Sequence, residues 1–186
     1  VNFLDQQSLD DFILYINDQE IDILVNNAGI NKINKFVQVT SDDFDEIIQV
    51  NLKSPFLLSQ AVLPNMKAKN WGRIVNISSI FGKVSKEFRS PYSMSKFGLD
   101  GMTASLAAEV AKDGILVNTL SPGFIDTDLT NRVLGKSGIQ NVKKTIPIQR
   151  LGSVEEIASF ACWLASERNT YISGQNIPID GGFTRV

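Results

Sequence analysis

Short apolar runs alternate with longer amphipathic segments along the chain, a pattern that predicts an α/β domain built on a parallel sheet. Four runs read as strands: Ile21–Val25, Arg73–Ile77, Ile115–Leu120 and Gln175–Ile179. The first is expected to be buried. Turn-forming residues follow each: Asn26-Asn27-Ala28-Gly29, then Ser78-Ser79, Ser121-Pro122-Gly123 and Asp180-Gly181-Gly182. Helical periodicity predicts a helix over 8–19 opened by Ser8, and another from Thr40 to about Leu63 with Thr40 and Asp43 as a capping box. A third helix is capped by Ser90, has Pro91 in its first turn and stops at Gly114. A fourth runs from Val154 to about Ser166. Residues 126–150 hold Gly135, Gly138, Pro147 and many Lys and Asn. They predict an irregular, mobile lid, a common location for substrate contacts.

Composition narrows the class. A chain of 186 residues, 43% hydrophobic and 20% charged, suits a single domain over 1–186 with a real core. A net charge of −2 argues against a broad nucleic-acid surface. No apolar run reaches the ~18–20 residues needed to cross a bilayer, and no secretion signal is visible. Cys162 is the only cysteine, so no disulfide can form within the chain, and a cytoplasmic location is expected. Its apolar setting, Phe160-Ala-Cys-Trp-Leu, predicts a core position. The absence of histidine removes a Ser-His-Asp triad and every histidine-based metal site. An enzyme of this composition must move protons with a carboxylate, a lysine or a tyrosine.

Tyr92 and Lys96 are four apart, hence on one face of the predicted helix. An ammonium beside a phenol favours phenolate and lowers the tyrosine pKa. Such a tyrosine can give a proton to a carbonyl oxygen, or take one back. The plainer account is a surface pair. Ser79 follows the second strand, where ligands collect at the carboxyl ends of parallel strands. It can bond a substrate oxygen or simply satisfy its own turn. Asn51 falls on the apolar stripe of Phe44, Ile47, Ile48 and Pro55 and therefore needs partners. It reads as a structural amide, as the anchor of a proton-relaying water, or as both. Asn26 to Gly29 let backbone approach a ligand closely.

Taken in order, Asn26-Asn27-Ala28-Gly29, Val50-Asn51-Leu52, Ser79, Tyr92 with Lys96, Pro122-Gly123 with Thr127, and Asp180-Gly181-Gly182 resemble the short-chain dehydrogenase/reductase family. The intervals from 79 to 92 and from 92 to 96 match, and the resemblance covers the entire chain. Within the family it is most similar to 3-oxoacyl-[acyl-carrier-protein] reductases and related sugar, steroid and alcohol dehydrogenases. The resemblance implies a Rossmann-like doubly wound parallel sheet with helices on both faces, and an NAD(P)-dependent oxidoreductase. It implies Tyr92 as acid/base, Lys96 as the group that lowers its pKa and holds ribose hydroxyls, Ser79 as substrate-orienting and Asn51 as the water anchor. Asn27, Ala28 and Gly29 would lie along the NAD or NADP cofactor. Pro122, Gly123, the Ile125 backbone and Thr127 would hold its carboxamide, and Asn2 and Phe3 would flank its adenine.

One departure is large. The family opens with a strand and a Gly-rich phosphate turn, and nothing here matches it. Together with Val1 in place of methionine, this predicts that the first βαβα portion, about fifty to sixty residues, is absent. The chain would then be two-thirds to three-quarters of the full domain. The residue that chooses between NAD and NADP would lie in that portion. A non-catalytic or truncated scaffold of the same fold is the alternative, which the intact Asn51, Ser79, Tyr92 and Lys96 set disfavours. Lys83, Lys86 and Arg89 lie between Ser79 and Tyr92 and suggest a polar or anionic substrate, with Arg89 as its contact. Lys136, Lys143 and Lys144 suggest the rival, a thioester on an acidic acyl carrier protein. Small residues Gly101, Ala104, Ser105 and Ala108 share one helix face, and related enzymes pair this helix across subunits. A homodimer or homotetramer is therefore expected.

Overall fold

A computed structural model describes all residues 1–186 and shows a four-stranded parallel sheet in the order β1-β2-β3-β4. The strands are β1 (Ile23–Asn26), β2 (Gly72–Ile77), β3 (Ile115–Pro122) and β4 (Asn176–Ile179). Six helices connect or flank them: α1 (Gln6–Asn17), α2 (Ser41–Ile48), α3 (Ser54–Lys69), α4 (Ser90–Val110), α5 (Asp128–Thr145) and α6 (Val154–Ala165). Side-chain alternation along each strand sends neighbours to opposite faces. Ile74, Ile115 and Val117 pack with Leu9 and Ile16 of α1, Leu58, Val62 and Met66 of α3, and Ala107 and Val110 of α4. Val75 and Leu120 face the other way, against Leu164 and Ala165 of α6. Helices thus cover both faces of the sheet. None is long and apolar enough to cross a membrane.

Several elements differ from the expectation. The first strand is not buried: Leu24 packs inward, but Ile23 and Val25 are 45% and 46% exposed. β1 lies at the sheet edge, and the layer formed by α6 does not extend over its second face. Asp5, not Ser8, caps α1, its carboxylate accepting the Ser8 N–H. Thr40 caps α2 through the Asp43 N–H at 3.1 Å. The reciprocal half of that box is absent because the Asp43 carboxylate takes Lys32 and Asn34 instead. A full capping box appears at Ser153 and Glu156 of α6. Ser90 is the first residue of α4 and does not act as its side-chain cap. Cys162 is exposed, since the buried stripe of α6 runs through Leu164 and Ala165 and leaves position 162 outward.

The largest difference is within 126–150, where residues 128–145 are helical, not irregular. Thr127 caps α5 by accepting the Thr130 N–H at 3.2 Å. Gly135 breaks the helix without ending it, at φ 61° and ψ 177°, a conformation essentially reserved for glycine. Pro147 falls just beyond the last turn, where proline commonly ends a helix.

Candidate functional site

The carboxyl ends of the strands open on a cavity of about 590 Å³. Its wall gathers Asn27 and Gly29 after β1, Ile77 at the end of β2 with Ser78 and Ser79 after it, and Tyr92 and Lys96 from the start of α4. Arg89 and Phe124 add to it, and Leu129, Thr130, Val133 and Leu134 of α5 close the remaining side.

Backbone geometry sets these positions. Between α2 and α3 the helix widens into a π-type turn over Gln49–Lys53, where the Ser54 N–H reaches back to the Gln49 carbonyl. Such bulges often accompany functional sites. This one turns Asn51 inward, 1% exposed. Its Oδ1 accepts the Ile30 N–H at 2.8 Å, and its Nδ2 donates to the Ile30 carbonyl at 2.9 Å and to Ser95 Oγ at 3.1 Å. Ser95 in turn donates to the Tyr92 carbonyl at 2.7 Å. One amide thus fastens the loop after β1 to the first turns of α4. Gly82 works by lacking a side chain. A β-carbon there would meet Ser78 Oγ at 2.6 Å and the Lys96 carbonyl oxygen at 2.8 Å. The close approach lets Ser78 Oγ donate to that carbonyl.

Lys96 is 4% exposed, and burial brings its ammonium down to about 8. Its Nζ donates to the Ile77 carbonyl at 2.8 Å and lies 5.7 Å from the centroid of the Tyr92 ring. Burial likewise raises the Tyr92 phenol above its ordinary value, opposed by the Ser79 hydroxyl and the Arg89 guanidinium. The expectation that Lys96 lowers the tyrosine pKa is therefore corrected for this arrangement. The ammonium is spent on a strand-end carbonyl, and desolvation of the phenol outweighs the remaining attractions.

Other candidates divide. Ala28 and Phe3 line a second groove of about 270 Å³ that meets the main cavity at Asn27. Asn2 lines neither; its side chain accepts the Leu4 N–H. Pro122, Gly123, Ile125 and Thr127 stand outside the main cavity wall, and Phe124 represents their segment there. Gly123 packs against the Asp180 backbone, where a β-carbon would come within 2.7 Å of Cα. Ile125 forms a bridge to Gly152, and the Thr127 hydroxyl is engaged as a helix cap. Of the three basic residues before Tyr92, only Arg89 reaches the cavity. Lys83 donates to the Asn176 carbonyl, and Lys86 is exposed.

The residue pattern points to substrate contacts within 126–150, where α5 lines the cavity, but it reveals neither the helical form of that wall nor Ser95. Ser95 was findable, being three residues after Tyr92 on the same helical face. Leu129, Val133 and Leu134 also carry a helical interval, masked by Gly135 and Gly138 just after them.

Comparison with known proteins fits this geometry. A family model described as enoyl-(acyl carrier protein) reductase matches residues 5–184. The chain belongs to the short-chain dehydrogenase/reductase family. It is 42% identical over 163 residues to an acetoacetyl-CoA reductase of Cupriavidus necator, covering 88% of this chain and 66% of that protein. It is 46% identical over 162 residues to the 3-oxoacyl-[acyl-carrier-protein] reductase FabG of Aquifex aeolicus, covering 87% and 65%. This family member thus spans about two thirds of the length of these curated relatives. Among solved structures it is similar to a gluconate 5-dehydrogenase from Burkholderia cenocepacia in complex with NADP and tartrate. The TM-score there is 0.92 at 32% identity, over 100% of this chain and 74% of that one.

Proposed function

We propose that this chain carries the catalytic part of an NAD(P)-dependent oxidoreductase acting on a carbonyl/alcohol pair. The supporting observation is the convergence of Ser79, Tyr92 and Lys96 on one cavity at the carboxyl ends of the strands. Asn27 joins that cavity to the groove lined by Phe3 and Ala28, forming one elongated track suited to a dinucleotide. Asn27, Ala28, Gly29, Tyr92 and Lys96 would hold the cofactor, which when bound supplies or accepts a hydride at the substrate carbon. Raised by burial, the Tyr92 phenol is protonated at neutral pH and so is poised as a donor. In the reducing direction it gives its proton to the carbonyl oxygen as the carbon gains the hydride, leaving an alcohol and a phenolate. Ser79 holds the same oxygen. Lys96 places a positive charge beside the phenolate. Asn51 is a positioning residue, because both of its amide protons are used within the fold.

The substrate reading nearest the relatives is a 3-oxoacyl thioester, with exposed Lys136 and Lys144 and neighbouring Lys143 available to an acidic carrier protein. A sugar or hydroxy-acid substrate is the second reading, favoured by Arg89 in the cavity wall. Gly101, Ala104, Ser105 and Ala108 of α4 face outward beside Met94 and Phe97, which are 53% and 46% exposed. This apolar face supports a homodimer or homotetramer, and a single unpaired cysteine is compatible with a cytoplasmic setting. Light scattering that gives only monomer would refute the assembly. NADPH or NADH consumption with a short 3-oxoacyl thioester tests the activity. Tyr92→Phe is expected to lower turnover at least ~100-fold while cofactor binding persists. Full turnover in that variant would sink the assignment.

A further inference from the structure

The cavity wall carries charge of one sign only. Arg89 and Lys96 line it, and no aspartate or glutamate does. Lys96 has a protein acceptor in the Ile77 carbonyl. Arg89 has none: its guanidinium makes no hydrogen bond and no ion pair within the protein. It lies over the face of Phe81, 5.4 Å from the ring centroid. Phe81 is itself buried and meets Phe124 edge-on, so the aromatic shelf under the guanidinium is fixed. The guanidinium nitrogens of Arg89 are not sealed from solvent, so the five donors are open to water or to a bound ligand that supplies oxygens. A net charge of −2 for the whole chain gives no general reason for a bare cation here.

We infer that Arg89 is the specificity-determining residue of this cavity, and that the carbonyl substrate carries a carboxylate close to its reacting carbon. The planar fork of arginine matches a carboxylate in a bidentate pair, and its aromatic shelf restricts the orientation. Arg89 and Tyr92 border the same space, and the guanidinium acts on the phenol. The anion it receives therefore lies next to the reacting oxygen. This excludes the phosphate of a carrier-protein arm, which a long flexible linker holds far from the thioester carbonyl. Leu129 and Val133, 62% and 51% exposed on the opposite wall, offer apolar surface to the rest of the molecule.

The inference rests on the oxidoreductase reading, and its test separates the two. Binding of 3-oxobutanoate, and of its neutral N-acetylcysteamine thioester, is measured by ligand-observed NMR on the unmodified chain, Arg89→Gln and Arg89→Lys. Arg89→Gln is expected to weaken 3-oxobutanoate about 10- to 100-fold, the loss of a charge-assisted pair. Arg89→Lys should recover part of it, and the neutral thioester should change less than about twofold. Inorganic phosphate should not displace 3-oxobutanoate. Equal weakening of both probes, unchanged binding in Arg89→Gln, displacement by phosphate, or no binding of the anion would each overturn the inference. NADPH consumption with both probes is followed in parallel. Turnover of the thioester alone, indifferent to position 89, defeats the carboxylate site and leaves the oxidoreductase. Arg89-dependent binding without turnover of either does the reverse.

Discussion

The two sides of the cavity are built on different principles. One side, formed by the ends of β1 and β2 and the first turns of α4, is tied into the core. Asn51 is 1% exposed, Lys96 4% and Ser95 0%, and each has partners in the fold. The other side is α5, an 18-residue helix with no buried residue and a glycine break at its middle. Proton transfer needs atoms held within fractions of an ångström, whereas accommodating a substrate body needs a wall that can adjust. The chemistry therefore sits on the anchored side, and the apolar contacts sit on the loosely attached one.

The sharpest challenge to this contrast is Asn51→Leu. It strips both the Ile30 N–H and the Ile30 carbonyl of their partner and leaves Ser95 without its donor. A loss of about 2–4 kcal/mol in chemical denaturation is expected, from two or more buried groups left unsatisfied. A loss below ~1 kcal/mol would mean that the anchored side is not anchored.

Next in size is a pH effect from Lys96. Its pKa falls to about 8 in the folded state from 10.5, so the unfolded chain binds more proton between those values. Stability should therefore rise as pH increases from about 8 toward 10, by up to about 1.4 kcal/mol per pH unit. Above 10 the raised Tyr92 phenol reverses the trend, because the unfolded chain loses its phenolic proton first. Lys96→Met should flatten the lower limb of that curve. Parallel curves for the two proteins would contradict a desolvated ammonium.

The smallest expected effect is at Gly135. Alanine at φ 61° and ψ 177° is strained by about 1–3 kcal/mol locally. Because no residue of α5 is fully buried, most of that strain can be relieved by opening the helix alone. Global stability should fall by less than ~1 kcal/mol, while amide exchange across residues 128–145 speeds up. A cooperative loss equal to that of Asn51→Leu would erase the distinction between the two sides.

Much of the anchored side was legible from residue order. The interval from Tyr92 to Lys96 announces one helical face, and Ser79 follows an unmistakable apolar strand. Asn51 stood out as an amide on an apolar stripe, although spacing alone does not reveal that a π-type turn points it at Ile30. Spacing reveals that a charge lies near Tyr92 but not the direction of its shift, because desolvation depends on what surrounds the ring. An exposed sheet edge follows from the expected absence of the first portion, but an apolar run looks the same on a covered strand as on an edge, so it does not single out Ile23 and Val25. In α5, lysines, asparagines and glycines imitate a loop. Only the Thr127 cap and the Leu129–Val133 interval betray the helix.

Gly82 has a consequence for how such a site would be mapped by mutation. It bears no functional group, yet any substituent there wedges the loop after β2 away from α4 at Ser78 and Lys96. A library scored only by catalytic output would place position 82 among the most sensitive in the chain. It would look indistinguishable from a proton carrier, although what is lost is clearance.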